Sequence, residues 1–183
     1  AVNDLHWKAL ERGEMSRDQV LKGRFSMFFG ELGIAVDPAA VAKTYETFLS
    51  QGHFFMPGAE ETVKQKLYGK YKLYLASNGT AVVQKGRMTS ADLYPYFEQS
   101  FISEEIGHSK PHPAMIHKAM ADAAVTDPRK AVGFGDSITA DIAAANNASV
   151  DSILYTNGAP APEGHGATYV AADFEEAISV VLG

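Results

Sequence analysis

Asp136 and Asp141 stand on either side of the point where an apolar run, Ala131-Val132-Gly133-Phe134-Gly135, gives way to an alanine-rich one. The apolar run reads as a buried parallel strand, followed by a tight turn and a helix with Ser137 at its N-cap. Ligands of open α/β sheets collect at the carboxyl ends of strands, which is where this reading puts Asp136. Asp141 falls near the positive end of the helix dipole. Two such carboxylates repel unless a cation or a hydrogen-bond network compensates them, and Mg²⁺ takes oxygen ligands of this kind. Two blander readings compete. Asp-Ser after a strand also serves as a plain helix cap. Gly133-Phe134-Gly135 begins like a dinucleotide turn, but Ile138 occupies the third glycine position and Asp136 lies where a pyrophosphate needs bare N–H groups.

Two further groups stand after predicted strands. Ser77-Asn78-Gly79 follows the run Tyr71 to Ala76, and Lys110 lies in Gly107-His108-Ser109-Lys110-Pro111-His112-Pro113. Together with the aspartates they compose a phosphate-handling set. The Ser77 hydroxyl and adjacent N–H groups hold phosphoryl oxygens, Lys110 offsets charge, and the carboxylates position Mg²⁺. Taken singly, Ser-Asn-Gly is a turn and Lys110 a solvated loop residue.

The elements that must bring these groups together alternate in type. Residues 1–53 predict helices only. Leu5, Ala9 and Leu10 form one apolar face, with Gly13 as a stop. Ser16 and Gln19 form a capping box for a helix carrying Val20, Leu21, Phe25, Phe28 and Phe29. Asp37-Pro38 opens a third helix through Val41, Tyr45, Phe48 and Leu49. Arg24, His53 and Phe54 receive no role, Arg24 being read as solvated. After Pro57-Gly58 the pattern becomes helix 59–67, strand 71–76, helix 80–89, strand 97–102, helix 114–124, strand 131–135 and its helix, strand 152–155, strand 167–171 and helix 174–182. Such alternation predicts a mostly parallel, doubly wound α/β sheet.

At 183 residues, 46% hydrophobic and 21% charged, the chain has ordinary globular composition. A net charge of −6 and the lack of a basic stripe argue against nucleic acid as a partner. No apolar run reaches membrane-span length, and no secretory pattern opens the chain. With no cysteine, disulfides, thiol catalysis and thiolate metal sites are excluded, which is compatible with a cytoplasmic location.

In this order the motifs resemble those of the haloacid dehalogenase-like hydrolase superfamily. Leu75-Ala76-Ser77-Asn78-Gly79 is similar to its second motif, the Lys110-Pro111-His112-Pro113 loop to its third, and Gly135-Asp136-Ser137-Ile138-Thr139-Ala140-Asp141 to its fourth. Pro57-Gly58-Ala59 resembles the return from a helical cap to the core. Trp7 to Glu14, Phe101 to Glu105 and Tyr155 to Gly158 resemble the bacterial house-cleaning pyrimidine 5′-nucleotidases. The resemblance implies a Rossmann-like core, residues 55–183, with an inserted helical cap, residues 1–54. It further implies a Mg²⁺-dependent phosphomonoester hydrolase acting through an aspartyl-phosphate on a small phosphorylated metabolite, a nucleoside 5′-monophosphate above all. Ser77 and Asn78 would hold the phosphoryl group, Lys110 would balance charge, Asp136 would bind Mg²⁺ and Asp141 would support the site.

One motif of the family, Asp-x-Asp-x-Thr/Val, does not occur. In the family it ends the central strand and supplies nucleophile and general acid/base; Asp4 has no strand before it and no aspartate two residues on. The expectation is that the sequence starts inside a longer protein, and that strands 71–76 and 131–135 flank a central strand contributed by other residues or another chain. Other readings are a non-catalytic phosphate or Mg²⁺ binder or subunit, a 2-haloacid dehalogenase, whose chemistry needs no metal, and, ranked below them, a response-regulator receiver.

Overall fold

Residues 2–183 are described by a computed structural model. The opening third is helical, as its caps dictate. Helix α1 (Val2–Glu11) carries the single tryptophan, Trp7, and is followed by Gly13 at φ +74°. Helix α2 (Arg17–Glu31) begins with the Ser16/Gln19 capping box, both of whose hydrogen bonds form. Helix α3 (Pro38–Ser50) is capped by Asp37, whose carboxylate accepts from the Ala39 N–H.

The buried faces differ from the apolar periodicity. His6, Ala9, Val20, Arg24 and Ala42 are buried, while Leu5, Phe28 and Phe48 face outward. Arg24, expected in solvent, lies with its guanidinium 4.8 Å from the Phe25 ring centroid and 4.9 Å from that of Tyr45. Its Nη1 donates to Asn3 Oδ1 at 2.7 Å. Aromatic faces and one amide thus replace part of its hydration, which periodicity of apolar residues does not reveal.

After α3 the chain enters α4 (Ala59–Glu61), which widens into i→i+5 turns over Thr62–Leu67. There follow β1 (Tyr74–Ser77), α5 (Ala81–Ser90), β2 (Gln99–Ile102), α6 (Ser103–Ile106) and α7 (Ala114–Asp122). The last part comprises β3 (Val132–Gly135), a wide turn over Ile138–Ile142, α8 (Ala143–Asn147), β4 (Asp151–Tyr155), β5 (Tyr169–Ala171) and α9 (Phe174–Leu182). Strand β1 starts later than expected because the Tyr71 N–H is already bonded to Leu67 O, so the chain is still leaving a helix there. Strand β2 starts later because Tyr94–Tyr96, with Pro95 inside, forms a short 3-10 turn.

All strand pairs are parallel, as expected, but the ladder is divided. Strand β1 pairs with β2, placing Ser77 opposite Ile102. Separately β3 pairs with β4 and β4 with β5. The core on one side gathers Ile153, Leu154, Ala171, Ala177 and Ile178, and on the other Val83, Met88, Phe101, Ile102 and Met115. Between the unpaired edges of β1 and β3 lies a cavity of about 680 Å³, lined among others by Leu73, Leu75, Met115, Val132, Phe134 and Ile178. A water takes about 30 Å³ of liquid, so this is a slot and not a packing fault. Its margins carry the marks of a missing neighbour: Val132 is 43% and Phe134 45% exposed, and no residue of β1 is fully buried. Strands β1 and β3 do not pair with each other, and among the described residues no strand lies between them.

Candidate functional site

The carboxyl ends of β1 and β3 open at the same end of the slot, and one side chain joins them. Lys110 Nζ donates to the Ala76 carbonyl at 2.8 Å and to Asp141 Oδ1 at 2.5 Å. The two side chains are 13% and 17% exposed, so this ion pair is shielded more than a surface pair. The compensation that paired carboxylates require thus reaches Asp141 from a lysine on another loop.

Asp141 is aimed by its local backbone. The Ile142 N–H bonds to Ser137 O at 3.0 Å, an i→i+5 contact that widens the first turn after β3. The Ser137 side chain caps the turn by accepting from the Ala140 N–H at 3.1 Å. The other Asp141 oxygen, Oδ2, accepts from the Ser137 N–H at 3.0 Å. Gly135 makes room for it: a Cβ there would stand 2.4 Å from the carboxylate carbon. Gly135, the last residue of β3, is needed for this close approach.

Lys110 is held from a second side. The Asn78 side chain accepts from the Lys110 N–H at 2.7 Å and donates to the Lys110 carbonyl at 2.9 Å. Both ends of the amide are therefore engaged in fixing the lysine loop. Ser77, ending β1, accepts from the Gly79 N–H at 3.1 Å and keeps its own hydroxyl proton to donate. The structure thus brings Ser77, Asn78, Lys110 and Asp141 together from three separated segments.

Asp136 follows β3 directly and is exposed, with no hydrogen-bond or ion-pair partner among the described residues. No group of three or more acidic or histidine residues capable of enclosing a metal occurs among the described residues. An exposed free carboxylate at the carboxyl end of a strand suits Mg²⁺, which retains waters and binds through one or two carboxylates plus phosphate oxygens. It does not suit an ion that demands a protein cage.

Two contacts from the helical layer reach the core without having been foreseen. Arg17 donates to the carbonyls of Asn78 and Gly79, and Thr139 donates to Glu11 Oε2 at 2.6 Å. An arginine after a capping serine and a glutamate at a helix end carry no signal of such reach in a single sequence.

Comparison with known proteins agrees with the geometry. The family model for haloacid dehalogenase-like hydrolases matches residues 7–149. Pyrimidine 5′-nucleotidase PynA of Streptococcus pneumoniae is 35% identical over 154 residues, 84% of this chain and 65% of that protein. The HAD-hydrolase YfnB of Bacillus subtilis is 32% identical over 151 residues, 82% of this chain and 64% of that protein. The chain thus spans just under two thirds of the length of these two relatives. The crystal structure of magnesium-bound YfnB, described as revealing interdomain movement, covers 100% of this chain and 79% of its own, with TM-score 0.89 and 29% identity.

Proposed function

Because the chain belongs to the haloacid dehalogenase-like hydrolases, we propose that it forms the phosphate- and Mg²⁺-handling part of a phosphomonoester hydrolase acting on nucleoside 5′-monophosphates. The observation carrying this reading is the Lys110 ammonium bridging the ends of β1 and β3, beside Ser77 and between the Ala76 carbonyl and Asp141. The nucleotide as substrate rests on the similarity to PynA and on YjjG of Escherichia coli, a pyrimidine 5′-nucleotidase 26% identical over 96% of this chain.

In this reading residues 1–54 act as the cap and 55–183 as the core. The Ser77 hydroxyl and the backbone N–H groups of its turn bind phosphoryl oxygens. Lys110 holds positive charge where negative charge accumulates as phosphorus is attacked, and Asp141 and Asn78 keep the ammonium in place. Mg²⁺, when bound at Asp136, would neutralise phosphoryl oxygens. The attacking carboxylate belongs at the carboxyl end of a strand seated between β1 and β3. It forms the new P–O bond as the ester oxygen departs, and a neighbouring acid protonates the leaving alcohol and then activates water for hydrolysis of the aspartyl-phosphate.

The test is hydrolysis of nucleoside 5′-monophosphates by protein that carries the slot strand, with and without EDTA. Hydrolysis abolished by EDTA and by Asp136→Asn supports the assignment. Metal-independent release of halide from 2-haloacids, without phosphatase activity, replaces it with a dehalogenase. The open slot favours a second reading for the chain by itself: it binds inorganic phosphate and Mg²⁺ without turnover, and calorimetry on the chain alone tests that.

A further inference from the structure

Arg17 occupies the first turn of α2, in the helical layer, yet every hydrogen bond its guanidinium makes is with the core. Nη1 donates to the carbonyls of Asn78 at 2.8 Å and Gly79 at 2.9 Å. Nη2 donates to the hydroxyls of Ser109, at 3.1 Å, and Ser103. One side chain therefore ties the turn after Ser77, the start of α6 and the residue preceding Lys110. The group is half-buried, and its burial lowers the guanidinium pKa from the ordinary arginine value, an effect that the nearby Glu104 carboxylate opposes. Glu104 in turn accepts from the Ala81 N–H at the start of α5.

The direction of these bonds matters. In a trans peptide the carbonyl of one residue and the N–H of the next point opposite ways. Pulling the Asn78 and Gly79 carbonyls toward Arg17 turns the N–H groups of Gly79 and Thr80 away from it. The Gly79 N–H meets Ser77 Oγ, and Thr80 Oγ1 is buried without a partner. A turn with its carbonyls gathered on one side presents an electropositive face on the other. Without Arg17, nothing else among the described residues bonds those two carbonyls.

We propose that Arg17 is a positioning residue that couples the placement of the helical layer to the anion-binding form of the Ser77 turn and the Lys110 loop. The coupling is reciprocal: an anion held at the turn favours the arrangement in which α2 sits against it. The Glu11–Thr139 contact is a second tie between the same two layers, but it touches neither the Ser77 turn nor the Lys110 loop. This gives the proposal an internal control.

The experiment compares the native chain, Arg17→Met, Arg17→Lys and Glu11→Ala by amide hydrogen exchange and by calorimetric titration with inorganic phosphate. Arg17→Met is expected to speed exchange at amides 78–81 and 108–110 while β4 stays protected, and to weaken phosphate binding about tenfold, a typical coupling. Arg17→Lys restores part of both, since an ammonium reaches the two carbonyls but not the hydroxyls as well. Glu11→Ala, which removes the acceptor for Thr139, leaves both unchanged. Equal exchange and affinity in Arg17→Met and native protein, or equal losses in Glu11→Ala and Arg17→Met, overturn the proposal and leave Arg17 a strut. The phosphate arm rests on the phosphatase reading and the exchange arm does not. A native chain that binds no phosphate sinks that reading, while exchange still decides whether Arg17 holds the turn.

Discussion

At the scale of single residues, the site depends on how few partners each charge has. Asp141 is satisfied by Lys110 and one backbone N–H. Lys110→Met would leave a largely buried carboxylate without its cation. We expect a loss of about 2 kcal/mol in urea unfolding, between the values for exposed pairs and for broken fully buried ones, because the pair keeps some exposure. Unchanged stability would mean that solvent already screens the pair. Tyr74, on the margin of the slot, gives a pH signature. Burial and a 2.9 Å hydrogen bond to Asp122 push its phenol from 10.0 up to about 12. A raised phenol pKa means that the unfolded chain releases its proton first. The contribution is therefore complete below pH 10 and is lost as pH rises from 10.0 through about 12. Tyr74→Phe should flatten that part of the stability curve, and an identical alkaline slope in the variant would exclude Tyr74 as its source.

At the scale of elements, the short stretch from β3 into α8 decides whether the site exists. Gly135 and Gly133 look alike in sequence, but a Cβ would stand 2.4 Å from the hydrogen-bonded Asp141 carboxylate at the first and 3.1 Å from the Ala145 methyl at the second. Gly135→Ala should cost about 2 kcal/mol and abolish phosphate binding, because Asp141 must leave Lys110 to make room. Gly133→Ala should be milder and leave binding intact; the reverse order in denaturation and calorimetry would contradict the geometry. The same stretch shows what the sequence made legible. Strand and N-cap could be read because each follows from local chemistry. The parallel pairing of β1 with β2 and of β3 with β4 followed from the helices between them, whereas β5 follows β4 with no helix between. The buried helix faces could not be read so, since Arg24 is sheltered by rings from α2 and α3, a tertiary fact. The reach of Arg17 likewise leaves no local signal, because what it bonds lies far along the chain.

At the scale of the molecule, the divided ladder is the governing feature. Among the described residues no strand pairs with the backbone groups of β1 and β3 that face the slot, and apolar side chains line it. A single strand seated there would satisfy both edges at once, at the 4.7–4.9 Å spacing of neighbouring strands. A synthetic peptide of five Val, Ile or Leu residues closed by aspartate and kept soluble by lysines at its start should raise the melting temperature. A scrambled peptide with charges inside the apolar run should not. No shift with the first peptide, or equal shifts with both, would show that the slot does not select an extended apolar strand.

Trp7 gives the helical layer an optical label of its own. It is the single tryptophan and lies in α1, whereas the sheet contains Tyr74, Tyr155 and Tyr169. Red-edge excitation therefore observes only α1 and its surroundings, while backbone circular dichroism observes the whole chain. If the ties through Arg17 and Glu11 bind the layers into one cooperative unit, both signals trace a single melting curve. Severed ties should separate the curves, with the indole emission changing first.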